Sequence, residues 1–132
     1  MMRPEQLKDY IDGLVQALHH HQLRTAGSYY GTASWIYADA GEIYVRPNGL
    51  HILGDEVVSS SYDFANLNIN QNLRGQGIMM GVIEEWHNWH GQPITYIENV
   101  SNERFAEHLR KREGWIEVDY WESGCSSFYK PR

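Results

Sequence analysis

Two glycines, Gly75 and Gly77, stand between an asparagine-rich run (Asn66, Asn68, Asn70) and an apolar run that begins at Ile78. Glycine lets backbone approach a ligand with no Cβ in the way, and it reaches left-handed conformations without penalty. Where such a turn opens a helix, unpaired N–H groups and a partial positive charge of about +0.5 face outward. That chemistry binds anions, phosphate above all. The spacing is not a Walker loop, because no Gly-Lys-Ser/Thr follows, and Gly75-x-Gly77-x-x-Met80 lacks the third glycine of a dinucleotide fingerprint. Taken alone, two glycines at a turn are a weak signal.

Other reactive side chains are less well arranged. His19, His20 and His21 are adjacent, and neighbours on a helix point about 100° apart, so they cannot converge on one ion and are expected as a solvated helix end. His87 and His90 have a spacing that can share a metal, but no third ligand is evident. Cys125 has no obvious histidine partner and, being the one cysteine, cannot form an internal disulfide. Arg110, Lys111 and Arg112 fall in a last helical turn, where cations favour the dipole. Trp86, Trp89 and Trp115 read as core or interface, with stacking on a ring-bearing substrate as the alternative.

The elements that position these groups follow from periodicity. Leu7, Tyr10, Ile11, Leu14 and Leu18 recur at helical spacing, which predicts a helix from Pro4 to about His20. Alternating runs over 34–38, 42–46 and 50–58, separated by Asp39-Ala40-Gly41 and Pro47-Asn48-Gly49, predict an antiparallel meander with a break near Gly54-Asp55. A strand over 64–70 puts Ala65, Leu67 and Ile69 on one face and the three asparagines on the other. Asparagine is depleted in strands, so the row reads either as an exposed face or as a polar cleft. A helix to about His90, a strand over 94–99, a helix over 102–113 closed by Gly114, and a terminal antiparallel pair (115–120 and 126–130) complete the chain. The expected fold class is α+β, a mixed sheet with helices on both faces.

Composition bounds the rest. The 132 residues are 42% hydrophobic and 21% charged with only 4 prolines, which fits one ordinary globular domain over 1–132 and speaks against disorder. Seventeen acidic and 11 basic residues give a net charge of −6, which repels a phosphate backbone and argues against sequence-independent nucleic-acid binding. No signal peptide and no membrane span are read, and the lone cysteine fits a reducing cytoplasm.

The combination of segments is more specific than any of them. Arg74-Gly75-Gln76-Gly77-Ile78 after the asparagine strand, then 96–105 (Tyr-Ile-Glu-Asn-Val-Ser-Asn-Glu-Arg-Phe), then Leu109 to Trp115, resembles the GNAT superfamily of acyl-CoA-dependent N-acyltransferases, over roughly residues 42–131. With the closing Phe128-Tyr129-Lys130, it is especially similar to small GNAT-like proteins of bacteriophages. The resemblance implies a mostly antiparallel mixed sheet in which a strand bulge splays a central pair, with the pantetheine arm of acetyl-CoA in the gap. It implies that Leu67, Asn68 and Ile69 meet that arm and that Arg74, Gly75, Gln76, Gly77, Ile78 and Met79 hold the pyrophosphate. Asn102 corresponds to a cofactor-contacting asparagine. Met79 occupies the final small-residue position of the family loop, where it either crowds the pyrophosphate or faces inward, and the helix tyrosine that many members use as thiolate acid is missing near Leu109 and Arg110.

The implied reaction is attack of a neutral amine on a thioester, with an oxyanion and a departing thiolate to stabilise. Glu98, at the end of the strand beside the gap, is the candidate base, with a helix-capping carboxylate as the alternative. Tyr129 is the candidate acid, with packing as the alternative. The implied partners are acyl-CoA and an amine acceptor: a small molecule such as a polyamine or aminoglycoside, a protein lysine or a modified base. No membrane is implied, and members are frequently homodimers. Met79 and the missing tyrosine motivate a second reading, a catalytically inactive GNAT-fold binding protein.

Overall fold

A computed structural model describes residues 2–25, 33–119 and 126–132. The elements are α1 (Pro4–Arg24), β1 (Ser34–Ala38), β2 (Gly41–Pro47), β3 (His51–Leu53), β4 (Glu56–Val58), β5 (Ser61–Ile69), α2 (Ile78–Trp89), β6 (Ile94–Val100), α3 (Glu103–Arg110), β7 (Ile116–Asp119) and β8 (Ser126–Pro131). Six strands form one sheet in the order β1-β2-β5-β6-β8-β7, and β3-β4 form a separate two-stranded sheet. The pairings in the main sheet are antiparallel except β5 with β6, which makes the α+β class expected from the sequence the observed one.

The third run of the expected meander does not join that sheet. Gly54 and Asp55 are a turn between β3 and β4, so the apolar run folds on itself and β2 pairs with β5 instead. The Asn48-Gly49 turn, with Asn48 at φ 61°, thus leads out of the sheet rather than making a hairpin within it. The terminal pair is also rearranged, because β8 inserts between β6 and β7.

The expectation of helices on both faces is corrected. Leu14 and Leu18 of α1, Ile83 and Trp86 of α2, and Ala106 and Leu109 of α3 share one buried core with Ile43, Phe64, Ile97 and Phe128 of the sheet. The reason is topological. The connections β5-α2-β6 and β6-α3-β7 both join parallel strands while advancing across the sheet in one direction, so right-handed crossovers place both helices on the same side. Helix α1 then packs on α2, closely enough that a Cβ on Gly81 would meet Ile11 Cδ1 at 2.4 Å. The opposite face carries the β3-β4 hairpin over its middle. Its outer part displays Trp35, Tyr44 and Arg46.

Helix α1 runs a turn further than periodicity suggested, and of its three histidines only His20 is exposed. His19 packs edge-on against Trp86 and Trp89, with ring centroids 4.7 and 5.1 Å away, and His21 is buried.

Candidate functional site

Strands β5 and β6 pair only from Ser61–Ile94 to Phe64–Ile97. Beyond that rung they part, and the cause is visible in the ladder with β2: Tyr44 pairs with Asn66 and Val45 with Phe64, so Ala65 is an extra residue, a bulge. The bulge also corrects the face assignment. Phe64, not Ala65, joins Leu67 and Ile69 on the core side, while Asn66 and Asn68 remain on the helix-free face. Strand β6 carries its own irregularity against β8 between Ile97 and Val100, so both lips of the gap diverge from regular pairing.

Past the bulge, β5 keeps β2 on one edge and presents the other to the gap. The amide of Asn70 donates to Ala40 O on the β2 side (2.9 Å), whereas Ile69 O points away and accepts from Arg74 Nε (2.8 Å). Backbone groups alternate in direction along a strand. Those of Leu67 and Ile69 therefore face the gap, and those of Asn68 face β2. Asn68 contributes its side chain, which bridges Glu42 Oε1 (3.2 Å) and Arg74 Nη2 (3.3 Å).

The loop at the foot of the gap is built for close approach. A single 3-10 turn (Gln71–Leu73) leads to Gly75 and Gly77, both left-handed at φ 77° and 85°, with Gly77 the N-cap of α2. A Cβ placed on either glycine would meet nothing within 4 Å, so the space in front of the loop is open. Among the described residues, no acceptor engages the amides of Gly75, Gln76, Gly77, Ile78, Met79 or Met80. Ile78 is buried, leaving only its backbone to offer, and Met79 packs against the core rather than crowding the loop. The loop therefore fits an anionic ligand on all three counts: open space, free donors and helix polarity.

On the other lip, Glu98 accepts from Arg46 Nη1 at 2.6 Å across the bulge, on the helix-free face. It does not cap α3. That cap is Asn102, whose Oδ1 accepts from the Phe105 amide at 3.1 Å, so its oxygen is already committed. Tyr129 is half-buried and pairs with Tyr96, which puts it on the same face as Glu98 but one rung back from where the strands part.

The remaining candidates resolve into structure. His90 Nδ1 accepts from the Gln92 amide, so its proton sits on Nε2 and is donated to Thr95 Oγ1 (2.5 Å), which in turn donates to His87 Nδ1 (2.6 Å). Burial, reinforced by the Arg132 charge, pushes His90 down to about 3 and lowers His87 as well. No group of three His, Cys, Asp or Glu is placed to hold a metal among the described residues. Arg110 is engaged by Glu117, Glu103 and Glu107, and Arg112 by Glu84. Cys125 lies outside the described residues. A surface depression of about 320 Å³ lined by Asp9, Tyr10, Gly13, Ala38 and Asp39 lies between α1 and the end of β1.

Sequence reasoning missed Glu84, which accepts from Lys130 Nζ (2.8 Å), Trp115 Nε1 (3.0 Å) and Arg112 Nε (3.1 Å) and ties α2 to β8 and the segment after α3. A carboxylate on the inner edge of an amphipathic helix was its only signal.

No protein-family model matches the chain, and no curated protein matches it. Solved structures do resemble it. A mutant of the toxin AtaT, bound to the C-terminus of the antitoxin AtaR and acetyl-CoA, is similar at TM-score 0.49 and 15% identity over 68% of this chain, which spans 57% of the toxin's length. A Corynebacterium glutamicum protein described as histone acetyltransferase HPA2 and related acetyltransferase is similar at TM-score 0.47 and 14% identity, covering 98% of this chain and 93% of that one. Arabidopsis thaliana Naa50, in complex with the bisubstrate analogue CoA-Ac-MVNAL, matches at TM-score 0.47 and 14% identity, covering 99% and 95%.

Proposed function

We propose that the chain is an acyl-CoA-dependent N-acetyltransferase that moves the acetyl group of acetyl-CoA to a primary amine. The observation that carries this reading is the bulge at Ala65, which opens a gap between two parallel strands directly above a glycine loop with free amides. Gly75 to Met79 take the diphosphate, and the backbone groups of Leu67 and Ile69 pair with the amide-bearing pantetheine arm. Arg74, already bonded to Ile69 O and Asn68, locks the loop to the strand. Asn68 and Asn102 border the arm through their side-chain amides. An amine enters from the face the helices leave free. Glu98 is the proposed base and Tyr129 the proposed acid for the thiolate. Positioning and oxyanion donors supply most of the rate, so the absent helix tyrosine slows the reaction rather than forbidding it.

The acceptor class favoured by a net charge of −6 is a cationic amine, such as a polyamine, an aminoglycoside or a protein lysine. The nearer likeness to bacteriophage-encoded members, a homodimeric state and a cytoplasmic setting belong to the same proposal. A second reading, a binding protein that holds acyl-CoA without transfer, is favoured by the Arg46 guanidinium on Glu98 and the cap duty of Asn102.

The experiment is free-CoA release with an amine panel, on wild type, Glu98→Gln and Tyr129→Phe, preceded by melting with and without acetyl-CoA. Turnover supports transfer. Tight acetyl-CoA binding with no turnover supports the second reading, and an unchanged melting point at saturating acetyl-CoA overturns both.

A further inference from the structure

On the helix-free face, one rung back from the parting of β5 and β6, Asp63 is buried and accepts two hydrogen bonds. Ser61 Oγ donates to its Oδ1 (2.5 Å), and His51 Nε2 lies 2.9 Å from its Oδ2. A carboxylate can only accept, so His51 carries a proton on Nε2, and in the neutral imidazole Nδ1 is then the accepting atom. Nδ1 has no partner among the described residues, and the side chain keeps 14% of its surface exposed. The imidazole lies flat on Tyr96, centroids 3.7 Å apart and planes 15° from parallel. Tyr96 is the rung partner of Tyr129 and stands two residues before Glu98 on the same face.

The backbone is shaped to deliver this pair. Asn48 is left-handed, and Gly49 closes so tightly over the carboxylate that a Cβ there would meet Asp63 Oδ2 at 2.4 Å and Ser61 Oγ at 2.6 Å. The Gly49 amide is anchored on Ser61 O (2.9 Å), and His51 follows two residues later.

Resting on the transferase reading, we propose that His51, oriented by Asp63, is a further catalytic base of the reaction, and that the proton lost by the acceptor amine ends on its Nδ1. Glu98 is already engaged by the Arg46 guanidinium at 2.6 Å. His51 is instead held by the buried Asp63 carboxylate, the arrangement that orients a general base. In the step, the amine lone pair forms the C–N bond as the thioester C–S bond breaks. The amine proton passes to His51 Nδ1 and the leaving thiolate takes a proton from Tyr129, giving the amide and free CoA, after which His51 returns its proton through solvent to the Tyr129 oxygen.

The test is amine-dependent CoA release and acetyl-CoA affinity in wild type, His51→Ala, His51→Gln and Glu98→Gln, with and without added imidazole. His51→Ala is expected to lower kcat by about 100-fold or more while acetyl-CoA affinity stays within about twofold, and imidazole is expected to restore about tenfold or more. His51→Gln, which keeps a hydrogen bond to Asp63, is expected to hold the wild-type melting point yet show the same loss. Unchanged kcat in a folded His51→Gln, or a loss in His51→Ala that imidazole does not restore, overturns the base role and leaves the transferase reading standing. No turnover by wild type with any amine overturns both together.

Discussion

At the scale of single residues, the charged groups that matter are those whose burial forces them into pairs. Burial by itself would raise the Glu84 carboxyl, but hydrogen bonds from Lys130, Trp115 and Arg112 outweigh it and hold the group at about 2. A carboxyl depressed in the fold stabilises it above its unfolded value near 4.5 and loses that contribution as pH falls toward 2. Glu84→Gln should therefore cost about 1–3 kcal/mol at neutral pH in urea unfolding, with the difference shrinking toward pH 2. His90 has the same sign by a different route. It is kept neutral down to about 3, so the unfolded chain takes up its proton first, and stability falls as pH drops from 6.5 toward 3. A His90→Phe variant should show a flatter decline across that window in pH-dependent thermal melts. Asn102→Ala removes the cap of α3 and should cost about 1 kcal/mol by the same unfolding measurement.

At the scale of elements, the glycine loop and the bulge do different work. Gly77 is left-handed at the mouth of α2, so Gly77→Asp introduces backbone strain of roughly 1–2 kcal/mol and sets a carboxylate against the proposed diphosphate. The protein should still fold, and its acetyl-CoA-induced melting shift should vanish. A shift retained in that variant moves the site elsewhere. The bulge parts the strands: with Ala65 removed, Phe64, Leu67 and Ile69 would stay on the core face at regular alternation, and β5 would lose the distortion that separates it from β6 beyond Phe64. The strand over 64–70 and its asparagine alternation were legible in sequence. Which residue was extra was not, since a bulge exists only relative to the neighbouring strand.

At the scale of the whole molecule, the three helices share one core on one side of the sheet and leave the other side free of helices. Because acyl-CoA on this reading binds the folded chain alone, a concentration about 100 times its dissociation constant should add roughly 2.7 kcal/mol of stability, visible as a melting shift of several degrees. The arrangement also explains why the sequence overestimated the meander. The run over 50–58 has strand character, but the left-handed Asn48 and the tightly seated Gly49 send it over the sheet face, where His51 locks onto Asp63 and Tyr96.

Local chemistry was enough to establish the helices, most of the strands and the glycine turn before Ile78, because each depends on spacing within a few residues, whereas the cap of α3 fell to Asn102 and not to Glu98. Tertiary structure alone decided that the three helices share a face, that β8 slips between β6 and β7, and that Arg46 meets Glu98. It alone joined His51 to Asp63, 12 positions away. Those outcomes depend on which strands pair and which way crossovers turn. Such contacts between distant parts of the chain leave no periodic trace in the order of residues.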